Sequence, residues 1–456
     1  MTGTWWHRRA GLLREPDFRR FYAGYVTSLL GSAMSAVAIA WAVLDNGGSA
    51  TGLGYVFAAG VVSQVVLLPV AGAVADRLGR RRIMLSADLL RFGAQASLAG
   101  LLFAGRPPLW LFVLLAWLEG TGEGFFAPAL GALTVEIAPR DQLGNANALY
   151  GLASSATRIA GPALGGVLIA LAGPGVVVAA DAASFGASVL ALNLLRMPPA
   201  SRAAEHPRGQ PPARSLRRDI AEGWDEFRSR TWLWVTTVQF AFFNLITWAP
   251  WMLLGPVQGH AYLGGAAVWG AIMAAQGAGA ITAGLISLGR RPARPLVIAT
   301  IGTFCYALPD IPMALHTTAL WVAVAAFCCG AGAATSRTFS STATQQQVPP
   351  SALARVNSLT LFPAYGIGVI GYAIDGPLAA AVGARAVFAV GAVYGLVSSA
   401  AVLMLRPVRE VRWQDAGPPA LNAGAPPPAG QRRRPAGPPR SQPLPPAVPG
   451  TGRPKV

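Results

Sequence analysis

The chain alternates long apolar stretches with short polar joints. The stretches have the length a bilayer crossing needs, about 20 residues at roughly 1.5 Å rise each. Twelve are legible: near 21–44, 52–75, 83–104, 109–137, 145–172 and 176–195, then near 232–255, 263–288, 295–315, 318–346, 356–380 and 386–405. None shows the short alternating pattern of a transmembrane barrel strand. The joints carry turn chemistry, as in Asp45-Asn46-Gly47-Gly48, Arg106-Pro107-Pro108 and Gly173-Pro174-Gly175. Residues 196–230 differ in kind: Pro, Arg, Ala and Gln lead into a run where Ile220, Trp224 and Phe227 recur at helical spacing. That spacing predicts an amphipathic helix lying on the membrane surface.

The pattern therefore predicts an all-α polytopic membrane protein of 12 transmembrane helices in two six-helix bundles. Residues 1–20 form an N-terminal segment, 21–195 and 231–406 the two bundles, 196–230 the linker, and 407–456 a tail. From about residue 413 the tail is Pro, Gly, Ala and Arg without apolar periodicity, the composition of a disordered segment. The first span is too long for a secretory signal and stays attached. The halves echo each other 210 positions apart: Pro139 to Leu149 aligns with Pro349 to Leu359, and in each a proline breaks one span before an Asn-x-Leu opens the next.

Charge refines this picture. Of 456 residues 53% are apolar and only 12% charged, against roughly a quarter charged in soluble domains. The net charge of +17 would suit nucleic acid, but the arginines sit between spans and in the tail, where topology and anionic lipid account for them. One side collects Arg77 to Arg82, Arg140, the linker, Arg290, Arg291, Arg294, Arg355 and both termini, while the other holds Arg106 and Arg385. The basic side is expected to be cytoplasmic, with both termini there, in the plasma membrane. Cys305, Cys328 and Cys329 lie inside spans, so neither a disulfide framework nor a zinc site is indicated.

The joint between spans 2 and 3 is the most informative stretch. Gly72, Asp76, Arg77, Gly79, Arg80 and Arg81 resemble the G-x-x-x-D-R-x-G-R-R loop of the major facilitator superfamily. The resemblance implies a gating latch, in which the Asp76 carboxylate meets the N-terminal end of span 11 and the arginines pair with an acid at the foot of span 4, where Glu136 stands. It also implies a substrate site near the midplane between the halves. Gly161-Pro162-Ala163-Leu164-Gly165-Gly166 in span 5 resembles part of the G-P-x-x-G-G element of drug:proton antiporters, where Pro162 permits a bend and Gly161, Gly165 and Gly166 permit close packing. Asp17-Phe18-Arg19-Arg20 and the Asn-Ala-Asn-Ala-Leu run from Asn145 are similar to the macrolide-efflux and enterobactin-exporter branch. Span 4 departs from the antiporter pattern, with Ala116-Trp117-Leu118-Glu119-Gly120 where an arginine is usual.

Charges within spans are expensive and mark function or structure. Glu119 and Glu123 lie four apart on one face of span 4, Glu119 near the midplane as the better proton-site candidate. Arg158 in span 5 stands at the depth of Glu123, so a Glu123–Arg158 ion pair is the structural alternative. Asp181, Arg337 and Asp375 are further candidates, expected nearer the interfaces. Asp88 and Arg91 are expected to pair with each other or with headgroups. Among the aromatics, a few from spans 4 and 7 could line an apolar cavity. The expected activity is export of small amphipathic or hydrophobic molecules by alternating access, driven by the proton gradient. No cofactor, metal or nucleic acid is called for, lipid and the small solute are the partners, and a monomer suffices. Proton-coupled uptake and a non-transporting sensor are the alternatives. No phosphate-binding loop, H-E-x-x-H or G-x-S-x-G motif points to an ATPase or an enzyme.

Overall fold

A computed structural model describes residues 12–139, 142–195, 224–349 and 353–413. The described chain is helical. In order, the long helices are α1 (Pro16–Asp45), α2 (Ala50–Leu78), α3 (Arg80–Ala104), α4 (Leu109–Ile137), α5 (Leu143–Ala172) and α6 (Pro174–Asn193), then α7 (Thr231–Leu263), α8 (Ala266–Ser287), α9 (Pro295–Ala314), α10 (Ala319–Gln347), α11 (Leu353–Val382) and α12 (Ala384–Met404). Ten of these are long and apolar enough to cross a membrane. The other two are α3, whose apolar run is interrupted by the buried Asp88, Arg91 and Gln95, and α11, whose apolar part is the shorter Gly366–Val382.

Local chemistry sets the ends. Ser49 caps α2 by accepting from the Gly52 N–H, the usual work of a serine at that position. Gly79 at φ +89° both ends α2 and opens α3, a backbone setting that side chains resist. The register of the halves repeats: Leu109–Ile137 recurs as Ala319–Gln347 and Leu143–Ala172 as Leu353–Val382, each 210 positions on.

Within the first half α2 packs on α4, α1 on α5 and α6, and α3 on α4 and α6; in the second, α10 packs on α8 and α9, and α7 on α11. The halves meet where α5 lies along α8 and α2 along α11. A shared core of Trp41, Leu53, Val56, Trp251, Leu253 and Trp269 sits there, together with the Asp45–His260 pair at 3.0 Å. These residues lie toward the chain end opposite the basic loops.

Three expectations change in detail. The seventh span runs on to Leu263 because two π-helical turns, Asn244–Trp248 and Gly259–Leu263, continue it. The ninth is broken, its first segment ending at Tyr306 and a second starting at Asp310, because Pro309 cannot donate to the carbonyl one turn back. Beyond α12 a short helix, Arg406–Glu410, carries the chain to Trp413, whose N–H donates to Ala293 O at 3.1 Å. Of the surface helix in the linker, residues 224–229 are described, with Trp224 exposed and Phe227 buried against Trp232 and Leu233; Ile220 lies outside the described residues.

Candidate functional site

The charges within the first half converge on Arg91. Its helix, α3, packs between α4 and α6, and Gly122 on α4 stands where the arginine stem passes, since a Cβ there would collide with it. The guanidinium donates to Glu119 Oε1 from Nε at 3.2 Å and from Nη2 at 3.0 Å. Nη1 lies 3.0 Å from Glu123 Oε2 and 3.8 Å from Asp88 Oδ1. The guanidinium carbon stands 4.1 Å from the centre of the Phe185 ring, a stacking that suits a weakly hydrated planar cation. Ser32 on α1 joins the cluster to α6, accepting from Arg91 Nη2 at 3.3 Å and donating to Asp181 Oδ1 at 3.4 Å. Asp88 is held further by Ser188, whose hydroxyl donates to Oδ2 at 2.6 Å. Four carboxyl groups from three helices thus surround one cation, which is itself almost wholly buried.

This arrangement corrects several expectations. Glu123 pairs with Arg91, a partner the sequence reading had not assigned it; Arg158 is exposed on α5 and donates to Ser154 Oγ at 3.5 Å. Glu123 takes Arg91 because α3 runs beside α4, whereas α5 touches α4 little. Asp88 and Arg91 pair with each other as expected, at 3.8 Å, but inside the bundle, and Arg91 stands closer to Glu119 and Glu123 than to Asp88. Asp181 is not interfacial: it is fully buried between α6 and α1, against Gly31 and Ser184. Asp375 is buried too, on the face of α11 that packs on α7. Arg337 alone of these three is exposed, and its side chain bonds Tyr306. Sequence reading missed Arg91 as the hub, Ser32 as the relay and Asp310, a fully buried acid in α9. The signal for Arg91 was its place in α3, 11 residues past the helix start, too deep for a headgroup.

The loop between α2 and α3 clamps two other helices. Arg80 Nη1 meets Glu136 Oε1 at 2.7 Å and Ala132 O at 3.1 Å at the foot of α4. Arg81 donates to Leu192 O at 2.7 Å and Asn193 O at 2.8 Å, satisfying terminal carbonyls of α6 with a cation where the helix dipole favours one. Arg77 and Arg82 are exposed. The side chain of Asp76 and the surroundings of Gly72 lie outside the described residues.

The glycine–proline element of α5 faces two ways. Gly161 abuts Ala33 and Gly165 abuts Met34 on α1, while Gly166 abuts Ala266 and Gly270 on α8. It thus ties the first half to the second through backbone contact, as small residues allow in membranes. A separate cleft of about 560 Å³, lined by Ile286, Arg290, Arg291, Ile298 and Phe339 among others, opens at the loop between α8 and α9 and includes no member of the Arg91 cluster. Among the described residues there is no group of acids, histidines and cysteines suited to a metal ion.

Comparison with known proteins places this architecture. Macrolide efflux protein A of Streptococcus pyogenes is 27% identical over 181 residues, 40% of this chain and 45% of the relative. Multidrug efflux pump Tap of Mycolicibacterium fortuitum is 32% identical over 178 residues, 38% and 43% of the two chains; Tap of Mycobacterium tuberculosis H37Rv is 30% identical over 215 residues, 46% and 50%. The chain thus spans about half the length of the curated relatives it matches. Among solved structures, the nucleoside transporter NupG superposes with a TM-score of 0.66 at 10% identity, covering 84% of this chain and 98% of that one. A bacterial homologue of the iron transporter ferroportin, in an inward-facing state, gives 0.65 at 14%, covering 85% and 97%. At those identities the likeness is one of fold. The sequence pattern of the Major Facilitator Superfamily matches residues 21–371, and this multi-pass membrane protein belongs to that superfamily.

Proposed function

We propose that the chain exports amphipathic small molecules in exchange for protons, with the Arg91 cluster as the coupling site. The observation that carries this reading is the charge balance: one buried cation among Asp88, Glu119, Glu123 and Asp181. Were all four acids ionised, Arg91 could not balance them all, and excess negative charge in surroundings of low dielectric is costly. Protons relieve that excess. Glu119 and Glu123 are the partly open members, 28% and 36% exposed, while Asp88 is closed off. Protons would therefore enter through the two glutamates, and Arg91 would redistribute its bonds among the acids as they are protonated. A cation with five donors suits that exchange.

The inferred direction and cargo rest on the macrolide- and multidrug-efflux relatives and on the glycine–proline element of α5. In the same reading the Arg80–Glu136 and Arg81 contacts are a latch that forms in one state of the cycle and breaks in the other. The test is transport of a macrolide and of a fluorescent amphipathic dye in proteoliposomes with an imposed pH gradient. Glu119→Gln should abolish gradient-driven accumulation while equilibrium binding persists. Undiminished accumulation by that variant would remove Glu119 from coupling, and accumulation in the uptake orientation would reverse the assigned direction.

A further inference from the structure

The second half contains two buried carboxyl groups that the coupling cluster does not use. Asp310 in α9 is 1% exposed and Asp375 in α11 is 3% exposed. Both oxygens of Asp310, and Oδ2 of Asp375, have no hydrogen-bond partner among the described residues. A carboxyl so placed is among the most expensive groups a membrane interior can hold.

Both face the same feature, the π-helical turn Asn244–Trp248 of α7. Pro250 follows it, and a proline has no N–H, so Ile246 O lacks the donor an α-helical turn would supply. The Ala249 N–H is diverted to Asn244 O, so Leu245 O lacks its α-helical donor as well. Each of these carbonyls lies beside one of the acids across a glycine. A Cβ built on Gly371 would stand 3.2 Å from Leu245 O and 3.5 Å from Asp375 Oδ2. One built on Gly391 would stand 2.9 Å from Ile246 O and collide with Asp310 Oδ2. The two glycines thus leave the space in which carboxyl and carbonyl share a gap. Thr247, the next residue, is already committed, donating to Gly391 O at 3.1 Å.

We infer that Asp310 and Asp375 are proton-binding sites, each bound proton donated in a hydrogen bond to a carbonyl freed by the π-turn, Ile246 O for Asp310 and Leu245 O for Asp375. A carboxylate and a carbonyl are both acceptors and repel; one proton on the carboxyl turns the pair into donor and acceptor. Proton occupancy therefore favours α7 with its π-turn, and loss of the proton pushes α9 and α11 away from that turn. The titratable groups around the acids are few. The Cys329 thiol on α10 shares the surroundings of Asp310, and Tyr372, on the helix of Asp375, shares those of Asp375. α7 and α12 bring Asn244, Thr247 and the Gly391 backbone to the region, none of them charged.

The inference does not depend on the transport reading, and its test needs no substrate. The full-length protein in nanodiscs is examined by infrared difference spectroscopy between acid and alkaline buffer, following the carbonyl stretch of protonated carboxyl groups. Asp310→Asn and Asp375→Asn should each delete a component of that band, and the double variant both. Pro250→Ala, which restores an N–H to the turn and leaves both acids in place, should shift those components toward the position of a free carboxylic acid; it is the deciding variant if an Asn variant does not fold. A double variant whose difference spectrum equals that of the wild type, or a Pro250→Ala spectrum with unshifted bands, overturns the inference. Loss of these bands with export intact would leave the coupling role with the Arg91 cluster alone.

Discussion

Replacing Arg91 by methionine keeps much of the stem volume and removes the cation that pairs with Asp88, Glu119 and Glu123. Asp88 and Asp181, both fully buried, and Glu119, 28% exposed, would then face one another without a counter-charge. Removing one partner of a buried ion pair costs about 3–5 kcal/mol. Glu123, 36% exposed, adds little, since water screens it as it does a surface pair worth at most ~1 kcal/mol. The stack on Phe185 is partly kept, because a thioether also packs favourably on an aromatic ring. The expected loss is therefore about 3–5 kcal/mol in total, measured as thermal unfolding of the detergent-purified protein. The pH dependence has a definite sign. Uncompensated carboxylates repel when ionised and stop doing so when protonated, so the deficit of Arg91→Met should be largest near neutral pH and shrink toward acid. Arg91→Lys, which keeps the charge and loses the planar fork, should fall between. A methionine variant within about 1 kcal/mol of wild type near neutral pH, or a deficit that grows toward acid, would refute the charge-balance reasoning.

Other consequences follow from single contacts. Glu136→Gln removes the partner of Arg80 where both side chains are about a quarter exposed; stability should change by less than about 1 kcal/mol, while transport falls by at least about tenfold, a barrier change of ~1.4 kcal/mol. Equal losses of stability and transport would reduce the contact to scaffolding. Gly166→Val should leave the protein expressed and membrane-inserted yet inactive, because the new side chain would meet the Ala266 carbonyl and Gly270 of α8; cross-linking between cysteines placed on α5 and α8 reports the lost approach. Asp45→Asn weakens the bond to His260, with both side chains more than a third exposed, and should raise labelling by a membrane-impermeant thiol reagent of a cysteine introduced at the half-buried Ala50. Unchanged labelling would mean that the apolar core around Trp251 and Trp269 holds that end shut unaided.

The number and order of helices were legible because lipid imposes one rule, an apolar run of fixed length, and the joints obey it. The registers of α4 and α10, and of α5 and α11, repeat to the residue for the same reason. What the sequence hid was which helices touch. Glu119 and Glu123 are four apart and so share a face, but nothing local says that this face looks at α3 rather than α5. That one fact brings Glu123 to Arg91. Burial of Asp181 and Asp375 was hidden similarly: counting residues from a span end gives depth, and depth says nothing about whether a side chain points to lipid, to headgroups or into the bundle. The π-turn in α7 could have been suspected from Pro250, since a proline within an apolar span must free a carbonyl, but the acids that face it come from two helices far along the chain.

The internal repeat shows why the two halves need different chemistry. Counting 210 positions on from Glu119, Glu123 and Asp181 gives Cys329, Ala333 and Gly391, so the counterpart of the Arg91 cluster has no acid on α10 or α12. Yet the place is not neutral. Asp310 reaches it from α9, against Gly391 and near Cys329. The first half therefore holds its acids through a cation that can change partners, and the second holds one through a backbone distorted by Pro250. A cation can serve several carboxylates in turn, so in the proposed cycle the first half would exchange protons successively; a freed carbonyl serves one, so the second would act as a single binary switch. If the halves rock about their shared core at Trp251 and Trp269, the switch lies on α7, the helix that supplies Trp251 to that core.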